Sequence, residues 1–277
     1  MSTTWPTRVA ELLGEPADLR PLGGGATSFV AGGRRLVAKT GAGVLDEALG
    51  LRALAAVRDG PPVPGVLLAE EGLLVTSFVE QGRRTAGHDE AFGTALAHLH
   101  AAPFAGFGGG GGFGGGGGFG GGSSFVGNCR VDPSPAPDAP TFYACRLSAL
   151  ARRCGLEGAV DPVCERLGTL LPSARPSLVH GDLWWGNVLW GAGGHAFVID
   201  PSAHGGHPEE DLAMLGLFGP VPHRLRSAYD EVLPASEGAE VRRLLFELLP
   251  LLVHAVLFGG IYIPRACTAA ERLVERS

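Results

Sequence analysis

The stretch LVHGDLWWGNVLWGAGGHAFVIDP, residues 178–201, restricts the fold of its chain more than any other: short apolar runs alternate with Gly- and Asp-bearing breaks. Runs so short make strands rather than helices, and the GAGG between two of them is a turn signal. The spacing predicts strand, loop, strand, turn, strand, with Asn187 opening one arm of a hairpin and Asp200 ending the other. Asp and Asn are common in turns for local hydrogen-bonding reasons, so each one alone reads as a turn residue. An amide oxygen and a carboxylate that face one point are also hard ligands, suited to a Mg²⁺ ion that keeps waters and grips phosphate. Asp182 lies on the loop before the hairpin, where its carboxylate could accept a hydrogen bond from a substrate hydroxyl.

The surroundings of this stretch differ on its two sides. Residues 5–14 read as a short amphipathic helix. PLGGGATSFVAGGRRLVAKTG reads as a hairpin feeding a strand with Lys39 near its end, and LDEALGLRALAAVRDG as a helix with Glu47 in its first turn. VPGVLLAE and GLLVTSFVE add strands. Downstream, HDEAFGTALAHLHAA, TFYACRLSALARRC, DPVCERLGTLL, PEEDLAMLGLFG, HRLRSAYDEVL, a long segment from Glu237 and the C-terminal segment all read as helices. The predicted fold class is α+β with two lobes: a small N-terminal sheet lobe over residues 1–80 and a larger, mainly helical lobe over 81–277.

Composition removes several function classes. Net charge is -6 and the 22 basic residues are scattered, whereas a nucleic-acid partner calls for a concentrated basic surface. The five cysteines form no CxxC pair, so neither a zinc site nor a disulfide framework is expected, and a reducing cytoplasm fits best. The N-terminus has no charged segment followed by an apolar run, so no secretory signal is expected. The most apolar run, LLFELLPLLVHAVLFGG, is interrupted by Glu247, Pro250 and His254. It is shorter than the ~20 apolar residues of a membrane span and is predicted to be a buried helix, kinked at Pro250. Residues 106–124 are nearly all glycine with recurring phenylalanine. Such a segment nucleates neither helix nor ladder, so a flexible loop is expected, with a lid over a ligand as the alternative.

HGDLWWGN followed by IDPSAHGGHPEEDLAMLGLFG is similar to the fructosamine kinase (ketosamine-3-kinase) family, a branch of the aminoglycoside phosphotransferase-like kinases in the protein-kinase-like superfamily. The HGD, N and ID pieces are shared by the whole group. Trp184, Gly206, His207, Glu210, Asp211 and the LAM and LFG pieces select this branch. LGGGATSFV, LVAKTG, FVGN and TFYACRL extend the resemblance over roughly residues 15–260.

The resemblance implies a two-lobed kinase fold that uses ATP and Mg²⁺ to phosphorylate the 3-hydroxyl of a ketosamine, free or on a glycated protein, as a deglycation repair step. Lys39, paired with Glu47, would contact the nucleotide phosphates, and Gly23, Gly24 and Gly25 would let backbone N–H groups approach them. Ser77, Phe78 and Val79 would offer backbone groups to the adenine edge. Asp182 would be the catalytic base, and Asn187 and Asp200 the Mg²⁺ ligands. Trp184 would pack against the sugar and His207 lie near the acceptor. His180 and Asp211 would brace the catalytic loop. Two departures stand out: Ala26 occupies a position where some relatives carry a cysteine, and Trp185 replaces a small residue, so that it narrows or covers the acceptor site. A kinase for an aminoglycoside or amino alcohol, and a nucleotide-binding pseudokinase, remain alternatives. No nucleic-acid or membrane partner is expected.

Overall fold

The computed structural model describes residues 4–23, 25–109, 125–171 and 174–277. Gly24 and the glycine-rich residues 110–124 lie outside the described residues, and with them most of the expected loop.

Helix α1 (Trp5–Leu13) leads into three strands, β1 (Ala17–Gly23), β2 (Ala26–Ala31) and β3 (Arg34–Thr40), then helix α2 (Val44–Ala55) and the hairpin β4 (Val66–Glu70) and β5 (Leu73–Ser77). All pairings are antiparallel, in the order β1-β2-β3-β5-β4. Alternation along the strands decides which face each residue serves. Leu36, Ala38, Leu73 and Val75 bury against Val9 of α1. Leu74, of opposite parity, buries against Val44, Ala48 and Leu51 of α2. Lys39 pairs with Leu74 across β3 and β5, so the same alternation turns its ammonium toward α2.

Beyond the sheet come α3 (Ala86–Ala101), the small hairpin β6 (Phe125–Val126) and β7 (Cys129–Arg130), and helices α4 (Ala139–Cys154), α5 (Glu157–Cys164) and α6 (Leu167–Leu170). The single helix expected from DPVCERLGTLL is two. Arg166 folds back on α5, its N–H donating to Val163 at 3.0 Å and its guanidinium to Pro162 at 2.6 Å, and these contacts end the helix. The remaining elements are β8 (Ser177–Val179), β9 (Val188–Trp190), β10 (Ala196–Val198), β11 (His204–Gly206), α7 (Glu209–Leu217), α8 (His223–Val232), α9 (Ala239–Phe258) and α10 (Tyr262–Arg276). β9 and β10 form the hairpin through GAGG, with Trp190 opposite Ala196 and Val188 opposite Val198. β8 and β11 pair separately.

α4, α5, α9 and α10 enclose the largest apolar cluster, with Phe142, Tyr143, Leu147, Leu248 and Leu252 buried. Helix α9 is assigned without interruption through Pro250. No described helix is long and apolar enough to cross a membrane. A second cluster joins α3, α8 and the β8–β10 region, and the end of α2 enters it too: Ala53 and Leu54, with Val57 just beyond the helix, share it with Leu178, Leu183, Val188 and Val198. α2 is therefore packed into both lobes.

Candidate active site

Three backbone features aim the polar residues of the central stretch. Gly181 has φ 77°, and a Cβ there would lie 2.3 Å from the Ser202 carbonyl, so only glycine lets the loop pass β11 this closely. Asn187 does not open β9 but closes a 3₁₀ turn, Trp185–Asn187, one residue earlier. Asp200 lies two residues beyond β10 at φ 55°, a left-handed conformation that Asp tolerates better than most residues. At the hairpin's open end one bond holds Asn187 in the turn and another carries on the β9–β10 register. Asn187 N–H donates to the Trp184 carbonyl at 2.9 Å, and its own carbonyl accepts from Ile199 N–H at 3.0 Å.

The Asn187 side-chain amide nitrogen donates to the Asp182 carbonyl at 2.8 Å and reaches its Oδ2 at 3.4 Å. Both contacts use the nitrogen, so the amide oxygen remains available to a ligand. Across the cleft, Lys39 Nζ lies 2.6 Å from Glu47 Oε2 and 3.2 Å from Asp200 Oδ1. Burial opposes the lysine's charge, but the two carboxylates outweigh it and hold its pKa above the ordinary value. Glu47 is pushed above the usual carboxylate range, first by burial and further by Asp200, with Lys39 opposing. Burial likewise raises Asp182 to about 7, and the neighbouring Asp200 charge adds to the shift. Asp200 keeps a side-chain exposure of 44 %.

Behind the loop, His180 is fully buried; its Nε2–H donates to the Ile199 carbonyl at 2.9 Å and its Nδ1 accepts from Asp182 N–H at 3.3 Å. Burial lowers its pKa, which keeps the ring neutral. Asp211, also fully buried, accepts from His180 N–H at 2.7 Å and Gly181 N–H at 2.9 Å. It also lies 3.1 Å from His100 Nε2, whose Nδ1 meets the Tyr229 hydroxyl at 2.8 Å.

In the sheet lobe, Gly23 ends β1 and Gly25 turns at φ 79°. At the end of β5, Ser77 N–H donates to Gly65 and, one residue on, Phe78 N–H to Arg35. Val79 N–H is engaged by no hydrogen bond among the described residues.

His207 stands apart from this group. Its ring stacks on Phe246 at 4.9 Å, its N–H donates to the Tyr143 hydroxyl at 2.7 Å, and burial followed by the Arg242 charge lowers its pKa to about 3. None of these contacts is with Lys39, Asp182, Asn187 or Asp200.

The Trp185 indole stacks near Trp190 at 6.2 Å, lies against Gly219, and sits under the Arg84 guanidinium at 4.9 Å. Arg84 also lies 4.3 Å from the Trp190 ring and pairs with Asp89 at 2.7 Å. The segment between β5 and α3 is thus clamped to the turn that presents Asn187. Arg84→Ala is expected to cost about 1–2 kcal/mol of stability, the range of a partly desolvated cation–π pair. Arg84→Lys should recover part of it in chemical denaturation. The signal for this clamp was two tryptophans five residues apart on one arm of the hairpin; the linker arginine carried none.

The donor set fits a nucleotide-borne Mg²⁺. Among the described residues no group of three or more His, Cys, Asp or Glu side chains could hold a metal, so the protein offers one carboxylate and one amide oxygen. That is the kind of site in which waters and phosphate oxygens complete an octahedron.

Comparisons with known proteins agree with the geometry. A family model described as fructosamine kinase matches residues 139–276. A probable ketoamine kinase of Synechocystis sp. is 35 % identical over 236 residues, 79 % of this chain and 75 % of that one. A probable ketoamine kinase of Lactiplantibacillus plantarum is 31 % identical over 230 residues, 79 % and 77 % of the two chains. The crystal structure of a candidate fructosamine-3-kinase from Thermobifida fusca superposes with a TM-score of 0.85 at 35 % identity, covering 99 % of each chain. An aminoglycoside phosphotransferase held with ADP and hygromycin B gives 0.62 at 19 % identity, over 99 % of this chain and 98 % of that one. At that identity the likeness is one of fold, and the fold is the two-lobed protein-kinase-like one.

Proposed function

The chain belongs to the fructosamine kinase family, enzymes that transfer phosphoryl groups to hydroxyls, and from that premise we propose that it phosphorylates the 3-hydroxyl of a ketosamine with ATP. The observation that carries the reading is Lys39 Nζ bridging Glu47 at 2.6 Å and Asp200 at 3.2 Å. A cation from the sheet lobe meets a carboxylate from the helical lobe beside Asp182, the arrangement phosphoryl transfer uses.

The lobes divide near residue 80, and the nucleotide lies between them. Val79 offers its free N–H to the adenine edge, with Ser77 and Phe78 supplying the adjoining backbone. Gly23 and Gly25 let the β1–β2 turn approach the phosphates, and Lys39, held by Glu47, offsets their charge. Asn187 and Asp200 would hold Mg²⁺, which when bound neutralises phosphate charge and orients the γ-phosphoryl group. Asp182 accepts the hydrogen bond of the attacking hydroxyl and takes its proton as the oxygen–phosphorus bond forms and the bond to the ADP oxygen breaks. His180 and Asp211 hold the loop that carries Asp182. Trp184 gives the sugar a flat apolar face. His207 supports the α7 end of the lobe through Tyr143 and Phe246. The product, a 3-phosphate, is set up for elimination that frees the amine, which makes the reaction a deglycation step.

An acceptor panel tests this reading. ATP consumption is measured with fructosamines, ribulosamines, an aminoglycoside and choline. Turnover on ketosamines at least ~10-fold above the others is expected, a difference of about 1.4 kcal/mol in transition-state binding. Turnover confined to the aminoglycoside or choline would replace the acceptor assignment, and Mg·ATP binding without any transfer would indicate a pseudokinase.

A further inference from the structure

Four polar side chains are sealed inside the larger lobe: Tyr143 and Arg146 on α4, His204 at the start of β11, and Glu210 on α7, none more than 5 % exposed. The Tyr143 hydroxyl donates to Glu210 Oε2 at 2.7 Å, which fixes the carboxylate and leaves Oε1 3.3 Å from His204 Nε2. The Arg146 guanidinium reaches the same nitrogen at 2.9 Å and lies 4.8 Å over the Phe142 ring. Among the described residues Arg146 Nε has no hydrogen-bond partner, so the guanidinium serves one imidazole nitrogen at the expense of its own satisfaction. The Ser202 carbonyl, 2.8 Å from His204 Nδ1, only accepts, so Nδ1 carries the hydrogen. Engaged at both nitrogens, the ring cannot turn.

That ring stands between the two arms that carry the cleft's carboxylates. Gly181, next to Asp182, packs on it: a Cβ there would lie 2.8 Å from His204 Nδ1 and 2.3 Å from the Ser202 carbonyl. On the other arm Ser202 follows Asp200 by two residues, and its hydroxyl donates to the Phe125 carbonyl at 2.6 Å. Asp200 itself meets Lys39 of the sheet lobe and sits at φ 55°, a conformation that non-glycine residues hold only where the surroundings impose it. Gly206 makes room for the cluster, since a Cβ there would lie 3.0 Å from Glu210 Oε2 and 3.1 Å from His204 Nε2.

We propose that Arg146 and Glu210, acting through His204, are positioning residues that set the separation between Asp182 and Asp200. The inference rests on the phosphoryl-transfer reading and deepens it. Neither residue touches the reacting atoms. A buried ionic cluster adds little net stability, because desolvation of its charges offsets their attraction; what this one fixes is the Ser202 carbonyl, and with it the backbone just beyond Asp200. The two arms are held independently. Asp211 takes the N–H groups of His180 and Gly181, whereas His204 takes the Ser202 carbonyl beneath Gly181. Loosening His204 therefore releases Asp200, the candidate metal ligand, while Asp211 still holds the loop of Asp182.

Calorimetry of ADP binding with and without Mg²⁺ tests this. In Arg146→Met and Glu210→Gln, ADP alone should bind within about twofold of wild type, whereas the tightening that Mg²⁺ gives should shrink about 5-fold, about 1 kcal/mol. Arg146→Lys keeps a cation for Nε2 and should recover most of that loss. Steady-state kinetics should place the defect in kcat, with the acceptor KM within about twofold. Glu210→Gln is isosteric and keeps an acceptor for Tyr143, so it carries the test if Arg146→Met does not fold. A cluster with a purely structural role would lower the melting temperature and leave the Mg²⁺ contribution at its wild-type size in every folded variant. That result overturns the proposal and leaves the kinase reading intact. Wild-type ADP binding that Mg²⁺ does not change removes the proposal together with the metal site, and a wild type that binds no ADP under either condition overturns the kinase reading as well.

Discussion

Replacing Asp182 with Asn is expected to lower kcat by about 10²–10⁴-fold, the usual size of a general-base contribution, while Mg·ATP still binds. The amide can hold a hydroxyl by hydrogen bond but cannot take its proton. The two parts of the prediction separate because of local charge. Asp182 carries a raised pKa partly because Asp200 repels it, so its loss removes repulsion from the candidate metal site rather than a ligand. Calorimetric Mg·ATP affinity should therefore stay within about threefold of wild type, or tighten, a change below about 0.7 kcal/mol. Steady-state kinetics on the best acceptor give the other half. An Asp182→Asn variant that turns over every acceptor at the wild-type rate would remove Asp182 from the chemistry.

Asp211→Asn is expected to be the most damaging change outside the cleft. Three donors converge on one fully buried carboxylate: the N–H groups of His180 and Gly181, and His100 Nε2. An amide presents a single acceptor oxygen and turns an N–H₂ toward one of the donors. The loss should be about 3 kcal/mol, one to two charge-assisted hydrogen bonds, seen as a fall in melting temperature of roughly 5–10 °C. The same carboxylate sets an acid limit. Burial works to raise its pKa, but the hydrogen bond and charge of His100, with His180, outweigh it and leave the folded-state value below the ordinary one. A group depressed on folding contributes in full above its unfolded pKa, about 3.9, and loses that contribution as pH falls through the lower folded value. Wild-type stability should thus decline below about pH 4, and Asp211→Asn should show a shallower slope there. Identical acid limbs in the two proteins would contradict the account.

Much of the architecture was legible because the patterns were local. Strand alternation and the turn at Gly32 and Gly33 announced β2 and β3, and Glu47 in the first turn of a helix announced a partner for Lys39. GAGG announced the β9–β10 hairpin. What escaped the sequence depended on bonds between distant segments. Asn187 falls just outside the strand predicted for it because its N–H closes a turn on Trp184 and its side chain bonds Asp182, and Asp200 falls outside its own in a left-handed conformation. Trp185 stood out in the sequence only as a departure from the family's small residue; the neighbours its indole packs on, Gly219 and Arg84, lie far from it in the chain. His207 was placed with the acceptor by resemblance alone, and its stacking on Phe246 comes from the packing of α9.

The dual packing of α2 has a consequence for control. In kinases that are switched on and off, the helix bearing the lysine's partner swings in and out of place. Here the far end of that helix is rooted in the interior of the catalytic half, where withdrawing Leu54 and Val57 would open a void costing several times thermal energy. Moving Glu47 away from Lys39 would therefore disturb the packing of the larger lobe as well.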